Sequence, residues 1–167
     1  GEGLASFALA SDDIGGDVAR LRASGSSIGP PIEGSRARPD GEVVRWRTAV
    51  ATVGPCEPPF LIEHEYAGAE WGDAAREARA AFEHPGGGRI RLTRLEVPCE
   101  QAVAAASAFE RSVGLRFAVG DGGLEARVGA QVVRLGGHGD EPTVVLEGDP
   151  PSHLDLIRVG IRWQCVG

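Results

Sequence analysis

One order of structural signals occurs twice along the chain, and this repeat restricts the fold more than any other feature of the sequence. In each half a strand signal comes first, a helix signal follows, and at least three strand signals come after it. A recurrence of architecture indicates tandem structural units. We therefore predict an α+β fold in which two tandem βαβββ units form curled mixed sheets, with the helices on the convex side.

The first unit is predicted over residues 1–66. An apolar run at residues 4–10 predicts a strand, and Ser11, Asp12 and Asp13 then provide side chains that can cap a helix. Apolar residues at helical spacing follow, and Gly25 ends the helix. Further strands are predicted around residues 28–38, over 42–52 and over 60–66.

The second unit is predicted over residues 90–167, after a linker at 67–89 that holds a helix at 72–82 and a Gly-rich joint at 84–88. Its first strand covers residues 90–97, and its helix begins at Pro98 and ends at Gly114. The remaining strands are predicted at 115–119, 124–128, 131–135 and 143–147, with an extra C-terminal strand at 157–163.

Charge and composition exclude several classes of protein. The net charge is −7 and all 17 basic residues are Arg without a clustered basic face, which disfavours nucleic-acid binding. The apolar runs are too short to cross a bilayer, and no basic and apolar leader opens the chain, so we expect a cytoplasmic protein without a membrane role. Three scattered cysteines are too few for a disulfide framework, so we expect reduced thiols.

Three motifs carry a resemblance to a known family. The string at residues 34–41, the triplet Arg45-Trp46-Arg47 and the segment at 59–64 resemble the glyoxalase-like domain family of the vicinal-oxygen-chelate superfamily, best over residues 4–97. The resemblance implies paired units that curl around a cleft for a divalent metal or a ligand. Family members usually carry another βαβββ unit upstream, with an Asp-His strand, so we expect this chain to be the later part of a longer protein.

The resemblance also implies where metal ligands would lie, namely a His on the first strand of a unit and a Glu on its last strand. Strand alternation turns Ser6 toward the cleft in place of that His, and Leu92 holds the matching position in the second unit. Glu63 matches the acidic position, which makes it the catalytic candidate and the one candidate metal ligand. Since one carboxylate does not make a site, we predict no metal in this chain alone, and a divalent metal only if an upstream unit supplies His.

Arginine side chains are the candidate ligand-binding groups, together with Ser6. Arg45 and Arg47 lie two apart on one strand and project to one face. If that face is concave, they form a polar cleft floor beside Glu63, since guanidinium groups recognise carboxylates, phosphates and enolates. The alternative is an exposed or ion-paired strand face with Trp46 packed under a helix. Arg94 shares a face with Glu96 and with Leu92, and it either contacts a ligand or forms an ion pair.

Two functions remain open on this reasoning. The first is a small-molecule cleft for an oxygenated organic anion, in an enzyme of lyase, isomerase or dioxygenase type with Glu63 as base or metal ligand. The second is a non-catalytic module for ligand binding or dimerisation within a larger protein. Ser6 and Leu92, in place of His, favour the second. An exposed sheet edge in such a fold would also permit a homodimer.

Overall fold

The computed structural model describes residues 4, 6–39, 41–51, 59–65, 89–136, 140–149, 154–158 and 160–166. These residues form eleven strands and two helices in two sheets, which confirms the predicted α+β class. The predicted linker helix at 72–82, the joint at 84–88 and Cys56 lie outside the described residues. Neither described helix has the length and apolarity needed to span a bilayer.

The first sheet has the topology of one βαβββ unit. Its elements are β1 (Ala8–Ala10), α1 (Ile14–Ala23), β2 (Ile32–Ala37), β3 (Val43–Ala49) and β4 (Phe60–His64). The strands lie in the order β1-β4-β3-β2, with β1 parallel to β4 and the other neighbours antiparallel. The first and the last strand of the unit, β1 and β4, are therefore neighbours in the sheet.

The second sheet begins with the same topology. Its first elements are β5 (Arg89–Val97), α2 (Ala102–Val113), β6 (Ala118–Gly120), β7 (Gly123–Val128) and β8 (Gln131–Leu135). They lie in the order β5-β8-β7-β6, and β5 runs parallel to β8. The two predicted βαβββ orders are thus confirmed.

Three more strands extend the second sheet to seven: β9 (Thr143–Asp149), β10 (Leu154–Arg158) and β11 (Ile161–Val166). Strand β9 pairs antiparallel with the other edge of β5 and parallel with β11, which pairs with β10. The prediction of one last strand at 157–163 is wrong, because the chain reverses between β10 and β11. Gly160 lies in that turn with φ at 69°, a conformation that glycine adopts without a steric penalty.

Local chemistry accounts for both helices. Asp13, one of the three residues that the sequence offers as a cap, is the N-cap of α1 and accepts a hydrogen bond from the Gly16 amide at 3.0 Å. Helix α2 starts later than predicted, because Pro98 and the three residues after it turn the chain between β5 and the helix. It ends at Gly114, whose φ of 73° gives the left-handed cap that was expected.

The two helices are in contact with each other, and each packs on its own sheet. Helix α1 packs its buried residues against the first sheet, and α2 packs against the second. Val113 of α2 contacts both cores, and the Ser26 hydroxyl donates to the carbonyl oxygen of Ser112 at 2.7 Å. Each sheet therefore turns one face toward the helices and its other face away from them.

Phe109 provides a test of this packing. It is 0% exposed, and its ring centroid lies 6.4 Å from that of Phe7 and 5.9 Å from that of Phe117. We expect Phe109→Ala to lower the free energy of unfolding by about 3–5 kcal/mol, because it leaves a cavity at a site that joins the two units. Urea denaturation followed by circular dichroism measures the change. Val103→Ala is the control, because Val103 lies on the same helix and is 73% exposed. Equal losses of stability in the two variants would contradict the packing.

Asp17 predicts a pH dependence. The hydrogen bond from the buried Ser11 hydroxyl, at 2.6 Å, lowers the pKa of the Asp17 carboxyl below its ordinary value of 3.8, burial opposes this effect, and Arg20 adds to it. Since the folded-state pKa is lowered, Asp17 stabilises the fold above the unfolded-state pKa, and this contribution disappears as the pH falls through the folded-state value.

We therefore expect Ser11→Ala to raise the Asp17 pKa toward its ordinary value and to reduce the loss of stability on acidification. A carbon-detected NMR titration of the Asp17 carboxyl measures the first effect directly. Ser107→Ala is the matched control, because that hydroxyl donates to a carbonyl oxygen on the exposed side of α2. An unchanged Asp17 pKa in Ser11→Ala would show that the hydrogen bond does not set it.

Candidate functional site

The register of the first sheet decides which face carries the predicted site residues. Leu61 lies beside Ala49, and two residues further along Glu63 lies beside Arg47. Leu61 and Ala49 are buried against α1. Because alternate residues of a strand share a face, Glu63, Arg47 and Arg45 lie on the helix-bearing face of the sheet. They do not lie on the opposite, concave face, which was the condition for the predicted cleft floor.

Glu63 joins three elements of the first unit. The Arg47 guanidinium donates to its Oε2 atom at 2.5 Å, and the Ile14 amide approaches the same oxygen at 3.3 Å. Ile14 is the first residue of α1, so its amide has no acceptor within the helix, and a carboxylate is favourable at that end of the helix dipole. The position of Glu63 thus has a structural explanation, and its role as catalytic group or metal ligand stays a prediction.

An open hollow of about 440 Å³ lies against the same sheet beyond this ion pair. Arg45 and Arg47 line it, as do Glu33, Gly34, Ser35, Trp46 and Glu65. We call it the arginine hollow. Its volume lies within the range of small-ligand sites. In the antiparallel register Glu33 is beside Arg47, and Ser35 is beside Arg45.

The two arginines of the hollow differ in how they are paired. Arg47 donates to Glu63, as described above. Arg45 Nε lies 3.9 Å from Glu65 Oε2, which is beyond hydrogen-bond distance, and the Arg45 side chain is 59% exposed. Of the two, the Arg45 guanidinium is therefore the more exposed and has no side-chain hydrogen bond to the nearest carboxylate, so it can take a further acceptor.

Trp46 does not lie under a helix, which was one alternative. It alternates with Arg45 and Arg47, so its indole projects from the face opposite α1, where it lies directly over Gly34. A Cβ atom at residue 34 would overlap the indole nitrogen, so the small size of Gly34 permits this close approach.

Ser6 is not brought together with Glu63. Phe7 and Leu9 pack toward the helices, as the sequence predicts. By alternation Ser6 lies on the opposite face, which is also the face of His64. Ser6 therefore lies across the sheet from the arginine hollow, and its role in ligand binding stays a prediction.

Arg94 belongs to an ion network on the second sheet. Its Nε atom donates to Glu96 at 2.7 Å, and Glu96 also accepts from Arg134 at 2.9 Å. Arg134 in turn donates to Glu125 at 2.5 Å. Val133 and Leu135 on either side of Arg134 are buried against α2, so the network lies on the face turned away from that helix.

The sequence predicted the Arg94–Glu96 ion pair as one of two alternatives, but the prediction missed Arg134 and Glu125, the other two residues of the network. The signal that could have found them is the two-residue turn between β7 and β8, which sets Glu125 beside Arg134. The prediction that Leu92 shares this face is wrong. A β-bulge shifts the register, so that Leu92 lies beside Leu146 whereas Arg94 lies beside Val145.

The described residues do not provide a metal site. Within residues 4–166, leaving out the parts that are not described, no three side chains of His, Cys, Asp or Glu are grouped so that they could hold an ion. The residues at the two first-strand positions, Ser6 and Leu92, are also poor metal ligands. A divalent metal therefore does not fit this set of residues, and we derive no chemistry from one.

The ion pair of Glu63 predicts a loss of stability when its charge is removed. Glu63→Gln keeps a carbonyl oxygen for the Ile14 amide and loses the attraction to Arg47 and to the helix dipole. We expect the free energy of unfolding to fall by about 1 kcal/mol. Glu65→Gln, whose carboxylate is 67% exposed and lies further from its arginine, should cost less. Urea denaturation at low and high salt measures both, and a Glu63→Gln effect no larger than that of Glu65→Gln would contradict the structural role.

Comparisons with known proteins agree with this topology. The family model described as "Glyoxalase-like domain" matches residues 1–113. A crystal structure of a hypothetical protein from Staphylococcus aureus has a TM-score of 0.76 and 13% sequence identity, over 97% of this chain and 66% of that one, and at this identity the likeness shows the fold alone. No curated protein matches the sequence. Because the family model covers more than half of its residues, the chain belongs to the glyoxalase-like domain family.

Proposed function

We propose that this glyoxalase-like domain binds a small oxygenated organic anion in the arginine hollow and does not turn it over. The observation that carries the proposal is Arg45, whose exposed guanidinium faces the hollow and is not hydrogen-bonded to the nearest carboxylate. A carboxylate can accept two parallel hydrogen bonds from such a group. The proposal depends on the register of the first sheet and not on the metal positions of the family.

The surroundings of Arg45 support recognition of an oxygen-rich ligand. Ser35 lies beside Arg45 in the register, and its hydroxyl can donate to a second oxygen, such as that of an α-hydroxy or α-keto acid. Arg47 keeps its own contact with Glu63 and holds the strand that carries Arg45 in place. Because the hollow is open and Arg45 is largely exposed, we expect weak binding, with a Kd on the order of 1 mM.

The positions of the acidic groups favour binding over catalysis. Glu63, the candidate base, does not line the hollow, and its Oε2 atom already contacts two donors. On the second sheet, Glu96 and Glu125 each accept hydrogen bonds from arginine. Among the described residues, a carboxylate placed to take a proton from a ligand bound at Arg45 would have to be Glu33 or Glu65, and both are exposed to solvent.

Arg45→Gln is the direct test. Lactate and pyruvate are titrated into nitrogen-15-labelled protein, and the shifts of the amides of β2 and β3 and of the Arg45 side chain are followed. We expect saturable shifts in the natural protein and at least a tenfold weaker affinity in Arg45→Gln, because the paired hydrogen bonds are lost.

Arg127→Gln is the control, since Arg127 is also an exposed strand arginine but lies on the second sheet. Light scattering on the same samples reports the oligomeric state. The proposal fails if neither acid gives saturable shifts, or if Arg45→Gln binds as the natural protein does. Ligand-independent dimers without saturable binding would favour the competing role in dimerisation.

A further inference from the structure

We infer that the ligand of the arginine hollow is a zwitterion, a short-chain amino acid that carries both a carboxylate and an ammonium group. This inference rests on the proposed function and narrows its ligand class. It comes from the acidic side chains of the hollow, which binding of a simple anion does not use.

The lining of the hollow is balanced in charge. Arg45 and Arg47 contribute two positive charges, and Glu33 and Glu65 contribute two negative charges. A ligand with only negative groups would gain from the arginines and would be repelled by the carboxylates at similar distances. A ligand with one group of each sign gains from both, so the lining discriminates in favour of it.

The two charges that lack a close partner lie on adjacent strands. Arg47 on β3 is beside Glu33 of β2 in the register. Its guanidinium, however, donates to Glu63 of β4, the neighbouring strand on the other side. Within the described part of the chain Glu33 is thus left without an ion-pair partner, and its side chain is exposed. Arg45 is the matching positive group, since its nearest carboxylate oxygen is 3.9 Å away.

The positions of Glu33 and Arg45 on the sheet allow one short ligand to reach both groups. Glu33 and Arg45 are diagonal neighbours on β2 and β3, because their register partners are Arg47 and Ser35. The backbones of diagonal neighbours in an antiparallel pair lie about 7–8 Å apart. An extended chain of three methylene groups holds an ammonium nitrogen and a carboxylate carbon about 5 Å apart, a separation that the ends of flexible Glu and Arg side chains can bracket. A short ω-amino acid can therefore contact Glu33 and Arg45 together.

Three compounds with the same carbon chain separate the contributions of the two charges: 4-aminobutyrate, butyrate and butylamine. Each is titrated into nitrogen-15-labelled protein at neutral pH and fixed ionic strength. We expect 4-aminobutyrate to bind at least fivefold more tightly than butyrate, and butylamine to bind most weakly. Glu33→Gln should bring 4-aminobutyrate to the affinity of butyrate, and Arg45→Gln should weaken both acids.

Glu100→Gln is the control, because that exposed carboxylate lies in the second unit and should change no affinity. Equal binding of 4-aminobutyrate and butyrate, both dependent on Arg45, overturns the zwitterion inference and leaves the proposed function standing. A preference for 4-aminobutyrate that survives Glu33→Gln overturns the assignment of Glu33. If none of the three compounds saturates, and lactate and pyruvate do not either, the proposed function fails with it. Retention of the amide spectrum in each variant shows that the fold is intact.

Discussion

The packing of each helix on one face of its sheet determines which surfaces of this domain can hold a ligand. Val113 of α2 packs against the cores of both units, and Phe109 of the same helix contacts Phe7, which precedes β1. Arg94 lies on the face of the second sheet that is turned away from α2, whereas Arg45 and Arg47 lie on the helix-bearing face of the first sheet. Arg94 on the second sheet therefore does not share a hollow with Arg45 and Arg47, although the sequence presents all three as strand arginines.

The arginine hollow follows from a difference in length between a helix and the strands that it covers. Helix α1 has 10 residues and is about 15 Å long. Strand β3 has 7 residues and is about 23 Å long. The helix covers Ala49 at one end of β3, and its N-terminus lies at Glu63, one row further along the sheet. Neither of the two helices in the described part of the chain packs on the rows beyond that point, and these rows carry charged side chains on the helix-bearing face.

Much of this fold could be predicted from local signals. The Asp13 cap, the Gly114 cap and the bounds of β8 depend on residues close in sequence, and each was found. The face of the sheet on which Arg45 and Arg47 lie was harder to predict. It depends on whether β4 buries Leu61 or the residues on either side of it. Phe60, Leu61 and Ile62 are all apolar, so alternation along β4 does not distinguish the faces. Leu61 is assigned to the core by its pairing with Leu9 and Ala49 on the neighbouring strands and by its packing on α1, all of which are contacts between residues distant in sequence.

The β-bulge in β5 is a clearer limit. No glycine or proline marks it, and it changes the register after Leu92 through pairing with a strand some fifty residues later. After such a one-residue shift, the side chains that would have followed on one face of the strand lie on the other face. An expectation based on alternation, such as a common face for Leu92 and Arg94, fails at that point for a physical reason that a single strand does not reveal.

Both sheets carry arginine next to glutamate, but only on the second sheet is the arginine fully engaged by hydrogen bonds within the protein. Burial explains this difference. On the second sheet Arg134 is 15% exposed and donates to both Glu96 and Glu125, so its hydrogen-bonding groups are used within the protein. Leaving such a group unpaired would cost free energy at that burial. On the first sheet Arg45 is 59% exposed, and water can satisfy it at little cost. An arginine that water satisfies can exchange that water for a ligand, and this is why the more exposed cluster is the better candidate for binding.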